Sequence, residues 1–193
     1  DDAALDRELG ESQTALEAAA GQDVIGFRSP NFDMNARTLA ALARHGYRYD
    51  ASGYPTPFML PARALLALKS RDPLGVLRLK PWPFSWRRDD HWVGAGERRL
   101  AEFPVSVSGA IRLPVYHTLR YALDDRRFGA MLDELAASGR GLSYVMHAVD
   151  VLGLAEDKVD PRLGKHPGMD RPLQAKLALL DRTLAAIARR FEC

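Results

Sequence analysis

Cysteine is almost absent: the single one, Cys193, is the last residue, which excludes an internal disulfide framework and any zinc site built on cysteine pairs. Long apolar runs are missing too. Nothing approaches the roughly 18 consecutive apolar residues that a membrane-crossing helix needs, and the first residues carry neither a basic leader nor the apolar centre of a signal peptide. Charge of one sign is equally lacking, because 27 Lys and Arg nearly balance 25 Asp and Glu for a net charge of +2. The positive residues are scattered, so no electrostatic footprint for nucleic acid is expected. These absences leave the compartment open between cytoplasm and cell envelope. They also leave hydrophobic residues at 47% of 193, enough to bury the core of one globular domain over 1–193.

What is present alternates between two periods. Leu5, Leu9 and Leu16 stand at helical spacing over residues 3–19, with Gly21 as a stop. "DVIGFRSP" switches to strand composition and ends at Pro30, which cannot donate to a ladder. Asn35 is placed to cap a helix that closes at Gly46, and "YRYDAS" reads as a second strand. A Pro-rich loop runs from Tyr54 to Pro61, followed by a helix over Ala62 to Leu68. "VLRLK" and "EFPVSVS" are strand candidates on either side of a Trp-rich insertion, "PWPFSWRRDDHWVGAGERR", which reads as a lid or rim. Asp124 is expected to cap a helix closed by Gly139, and "LSYVMHAVDVL" to form a buried parallel strand. Leu173, Leu177, Leu180, Leu184, Ile187 and Phe191 mark one stripe of a final helix beginning near Asp170. The rhythm predicts parallel α/β architecture with four or five strands, too few for a closed eight-fold barrel.

In such folds reactive side chains collect at the carboxyl ends of the strands. That rule selects Arg28 with Pro30, Asp50, and His147 with Asp150. Arg28 offers a planar cationic fork suited to holding a carboxylate, or a structural ion pair. His147 offers a proton near neutral pH, or a core imidazole bonded to backbone. His45, His91, His117 and His166 show no metal-ligand spacing and default to surface or loop positions. "RRDDHW" is polar enough to invite a metal, but its place in the Trp-rich insertion favours a lid or rim. No Gly-x-Ser-x-Gly elbow precedes a helix, which removes the serine-nucleophile reading.

In order, "VIGFRSPNFDMNARTLAALARHGYRYDAS", then "EFPVS", "RLPVY" and "LSYVMHAVD", resemble the polysaccharide deacetylase family. The family comprises metal-dependent hydrolases similar to chitooligosaccharide deacetylases. The resemblance runs from the first helix to the last and implies part of a distorted (β/α) barrel lacking its first strands. It implies the C-terminal portion of a catalytic domain that removes N-acetyl or other N-acyl groups from an amino-sugar-containing glycan. It further implies a divalent metal, zinc foremost, whose principal ligands are not in this chain. The Asp-Asp pair and the His-x-x-x-His pair of such enzymes have no counterpart here. Asp1 and Asp2 lead straight into a helix, while Asp89-Asp90 and Asp124-Asp125 fall in the wrong order.

By the resemblance, Arg28 grips an upstream catalytic aspartate and Pro30 fixes the chain as it leaves the strand. His147 protonates the departing amine, Val145 lines the acyl pocket, Asp50 orients His147 or a neighbour, and Tyr54 shapes the substrate rim where many relatives carry tryptophan. The chain by itself is expected to have little or no hydrolytic activity. Ala148, where many polysaccharide-acting relatives have proline, keeps open a lipid-linked amino sugar as substrate. A non-enzymatic carbohydrate-binding or partner module, with Trp82, Trp86 and Trp92 lining a groove, is the reading from another class.

Overall fold

The computed structural model describes residues 2–32, 34–58, 68, 86–94 and 99–192. The expected strand at 76–80, the helix over 62–68 apart from Leu68, and Trp82 lie outside them. Mixed α/β structure is present, divided into two compact units, Asp1–Pro104 and Val105–Cys193. Among the described residues the sheets are small and no barrel closes.

The first unit starts with α1 (Asp2–Ala20), whose Leu9 is its one buried residue, while Leu16 is 55% exposed. Strand β1 (Gly26–Phe27) leads through a 3₁₀ turn at Pro30–Phe32 into α2 (Ala36–Arg44). Asn35 caps α2 as the sequence indicates, its side chain accepting from the backbone N–H groups of Arg37 and Thr38, a contribution of about 1 kcal/mol. Gly46, at φ +80°, lets the chain turn left-handed into β2 (Tyr49–Asp50). Strands β3 (His91–Val93) and β4 (Leu100–Glu102) complete a sheet in the order β1-β2-β4-β3. β1, β2 and β4 run parallel, and β3 runs antiparallel to β4. Part of the Trp-rich insertion is therefore a strand rather than a lid, because "HWV" pairs with the apolar "LAE" segment. Leu39, Leu42, Tyr47, Val93 and Leu100 form the core that α2 and the sheet share with Leu9 of α1.

In the second unit β5 (Val107–Ser108) pairs antiparallel with β6 (Leu113–Pro114). The expected continuous strand "EFPVSVS" is thus two strands, β4 and β5, interrupted at Pro104, which has no N–H for a ladder. A short α3 (His117–Arg120) precedes α4 (Asp125–Ala137), capped by the Asp124 carboxylate, which accepts from Arg127 N–H at 2.7 Å. Phe128, Met131, Leu132 and Leu135 of α4 pack with Val115 and with Ile187 of α5 (Leu173–Ala188).

Two expectations need correction here. "LSYVMHAVDVL" is not a ladder strand: it makes one parallel bridge, Tyr116 to Val145, and then winds into a 3₁₀ turn at Ala148–Val151. Asp150 causes the change, since a carboxylate three residues after His147 captures the backbone N–H that a strand would spend on a neighbour. The buried stripe of α5 is Lys176, Leu179, Leu180, Thr183 and Ile187, with Leu177 and Leu184 40% and 46% exposed. Leucines stand on more than one face of that helix, so the polar partners of Lys176 and Thr183 help decide which face turns inward.

Candidate functional site

Three sequence phrases meet at the carboxyl edge of the first unit's sheet. Asp50 closes β2 and Glu102 closes β4, and the two are register partners of adjacent parallel strands, so both side chains leave the same face. Each is sealed from solvent, at 0% and 2% exposure. Arg28, just past β1, donates from Nε to the Ala51 carbonyl at 2.8 Å. The Ser29 N–H donates to Ser52 Oγ at 2.7 Å, and Ser52 Oγ in turn donates to Asp50 Oδ1 at 2.6 Å. The Gly53 N–H donates to Glu102 Oε1 at 2.7 Å. "FRSP", "YDASG" and "EFP" are therefore stitched together by hydrogen bonds rather than merely consecutive in order.

The charges follow from burial. Desolvation raises the Asp50 carboxyl above its ordinary range, and desolvation with Asp50 alongside pushes Glu102 up to about 9. Burial lowers the Arg28 guanidinium from its usual value, a drop opposed by the charges of Asp50 and Glu102. Pro30 is exposed and opens the 3₁₀ turn, and Tyr54 stacks on Phe32 from that turn at 4.5 Å and 10° between rings. The turn thus holds Tyr54 beside the chain leaving β1.

The second unit builds its own polar cluster under the His147 turn. His147 is half-exposed and its ring Nδ1 stands 3.8 Å from Asp150 Oδ2. Its backbone N–H donates to the same oxygen at 2.8 Å. Asp150, wholly buried, also accepts from the Tyr121 hydroxyl at 3.1 Å. Lys176, reaching in from α5, donates from Nζ to the Val149 and Leu152 carbonyls and contacts Met169 Sδ at 3.2 Å. Burial lowers the Lys176 ammonium, against the favourable field of Asp150. Val145 is 5% exposed, and its carbonyl accepts the His117 N–H at 2.9 Å.

Sequence reasoning selected Arg28, Pro30, Asp50 and Tyr54, which the first unit gathers at one edge, and Val145 and His147, which lie within three residues in the second. The carboxylate standing beside His147 is Asp150, while Asp50 bonds Ser52 and neighbours Glu102. Glu102 stands in the sequence only as the first letter of "EFPVS", yet its carboxyl closes β4 in register with Asp50, and burial pushes it up to about 9. His117 was assigned to surface or loop and is fully buried: Nδ1 is hydrogen-bonded with Tyr144 Oη at 3.0 Å, and burial lowers its pKa. His166, also assigned to the surface, sets its ring 5.5 Å from that of His147. Nothing in the histidine spacing carries either fact, because Tyr144 reaches His117 from 27 residues along the chain and His166 reaches His147 across a separate turn.

Among the described residues no three His, Cys, Asp or Glu side chains converge as a metal site. The divalent metal implied by the resemblance has no ligand set among them. Among the same residues no helix is long and apolar enough to cross a membrane. No family model, no curated protein and no solved structure matches the chain.

Proposed function

We propose that this chain belongs to a carbohydrate N-deacetylase of the polysaccharide deacetylase type, within a partial distorted barrel, and that it supplies the proton donor for the leaving amine. The observation that carries the reading is His147, a half-exposed imidazole with its Nδ1 3.8 Å from the buried carboxylate of Asp150. An amine is a poor leaving group from an amide unless a proton reaches its nitrogen as the C–N bond breaks. The half-exposed ring stands where it can reach a bound substrate, and an imidazole is a side chain able to pass a proton near neutral pH. The hydrogen-bonded union of Arg28, Asp50 and Glu102 with their flanking loops supports the same resemblance, because it gives the ordered phrases a shared physical setting.

The test is free-amine release from N-acetylglucosamine oligomers by the chain extended upstream through the expected His-x-x-x-His segment, with and without a chelator. Chelator-sensitive release that falls by kcat rather than KM in His147→Ala supports the reading. Chelator-insensitive release, or an unchanged rate in the variant, overturns it.

A second reading keeps the chemistry and changes the substrate to a lipid-linked amino sugar carrying a formyl or acetyl group. Met146 and Val151, 38% and 40% exposed, give the His147 turn apolar shoulders suited to such a molecule. A polyprenyl-linked amino sugar assayed beside the soluble oligomers separates the two.

A further inference from the structure

Two acids that close neighbouring parallel strands in register, both sealed from water, cannot both stay ionised in contact. Hydrogen bonding at this edge shows how the conflict is resolved. Asp50 Oδ1 is served by Ser52 Oγ, and Glu102 Oε1 is served by the Gly53 N–H. Asp50 Oδ2 is buried with no hydrogen-bond donor among the described residues, apart from what the facing acid can give. The oxygen of Glu102 not engaged by Gly53 is Oε2.

We propose that Asp50 and Glu102 form a proton-sharing acid pair in which Glu102 carries the proton on Oε2 and donates it to Asp50 Oδ2, leaving one negative charge opposite Arg28. Glu102 is then a positioning residue: its proton neutralises one carboxyl, so that a single carboxylate sits in the field of one guanidinium. Among the described residues the charged group acting on the pair is Arg28, from the chain beyond β1, and Tyr49 of β2 acts on Arg28 in turn. On deprotonation the proton passes to solvent and the pair becomes a repelling dianion, which Arg28 alone offsets among the described residues. The elevation of the Glu102 carboxyl to about 9 has the sign this arrangement demands. The inference does not depend on the deacetylase reading, since a buried acid pair at a strand edge has the same proton arithmetic whatever the sheet serves.

The experiment is a carbon-13 NMR titration of the whole chain with labelled glutamate and aspartate carboxyls, the Glu102 signal being assigned by its loss in Glu102→Gln. A Glu102 carboxyl that keeps the protonated shift at pH 7 and titrates several pH units above ordinary glutamate supports the pair. A carboxylate shift at pH 7 with a midpoint near 4.5 overturns it, and the wild-type chain alone decides this. Asp50→Asn tests the sharing itself. Asparagine can donate from Nδ2 where aspartate accepted, so the Glu102 midpoint falls by more than one unit if the proton was held for Asp50. An unchanged midpoint in a folded Asp50→Asn chain overturns the shared bond.

Discussion

His147 and Asp150 are joined twice, by a backbone N–H donated to Oδ2 at 2.8 Å and by a ring nitrogen 3.8 Å from that same oxygen. One oxygen thus fixes both the turn and the electrostatic surroundings of the imidazole. Asp150→Asn should uncouple the two roles. Asparagine has one acceptor oxygen for the His147 N–H and the Tyr121 hydroxyl, so one donor loses its acceptor or faces an amide N–H. Leaving one buried polar group unsatisfied costs about 1–3 kcal/mol. Thermal unfolding should register a fall of several degrees, and turnover of the extended enzyme should drop with little change in KM. Turnover unaffected by this change would mean that the carboxylate does not support the proton donor.

Lys176 is the most unusual contributor to that cluster, a lysine 1% exposed whose ammonium donates to the Val149 and Leu152 carbonyls. Lys176→Met retains the length and removes the donors. It should leave both carbonyls without this donor, and a buried polar group left unsatisfied costs about 1–3 kcal/mol. Amide hydrogen exchange over 147–153 reports the effect locally: protection there should fall more than in α4. Uniform protection loss would show a global effect instead.

Legibility in the sequence tracked how local each interaction is. Asn35 and Asp124 were readable as helix caps because a cap bonds the backbone two or three residues on. Arg28 and Asp50 were readable as strand-end residues, although the strands themselves are only two residues long. The "LSYVMHAVDVL" run was misread because its apolar composition fits a strand, while a single carboxylate at position 150 diverts the backbone into a turn. The inward face of α5 was misread for a related reason. Leucines occupy several faces of that helix, and the choice is made by Arg120, whose Nε donates to Thr183 Oγ1 at 3.1 Å from 63 residues away, and by the carbonyls that Lys176 satisfies. The pairing of Asp50 with Glu102 needed the parallel register of β2 and β4, which no local pattern contains.

The face assignment of α5 has a direct consequence. Leu180 is 9% exposed and Leu177, one turn earlier in the same predicted stripe, is 40% exposed. Leu180→Ala should cost about 2–5 kcal/mol, and Leu177→Ala well under that, by chemical denaturation at constant m-value. Equal costs would mean that the helix is rotated about its axis.

Stability should also vary with pH through Glu102. Its folded value near 9 lies above the ordinary 4.5, so between those limits the folded state holds a proton that the unfolded chain releases. The stabilisation is fully present below about pH 4.5 and is lost as pH rises toward 9, at no more than about 1.4 kcal/mol per unit. Glu102→Gln removes the titrating group while retaining an amide that can donate to Asp50 Oδ2 and a carbonyl that can accept from Gly53. Denaturation midpoints of wild type should therefore decline more steeply between pH 6 and 9 than those of the variant. Parallel slopes would show that Glu102 titrates alike in both states.

Gly53 supplies the space in which this acid pair is held. A Cβ on residue 53 would come within 2.8 Å of Glu102 Oε1, closer than real Cβ contacts allow, and 3.1 Å from Pro104 Cβ, a tight contact. Gly53→Ala must displace the Glu102 carboxyl from the backbone N–H it accepts and from its position beside Asp50. Overpacking of this kind costs about 1–3 kcal/mol. The same substitution in a Glu102→Ala background meets no carboxyl, so its cost there should be smaller by about 1 kcal/mol or more. A double-mutant cycle measured by denaturation reads that difference as a coupling energy. Additive costs would mean that the crowding is relieved by backbone movement instead, and that the position of Glu102 is not set by the glycine opposite it.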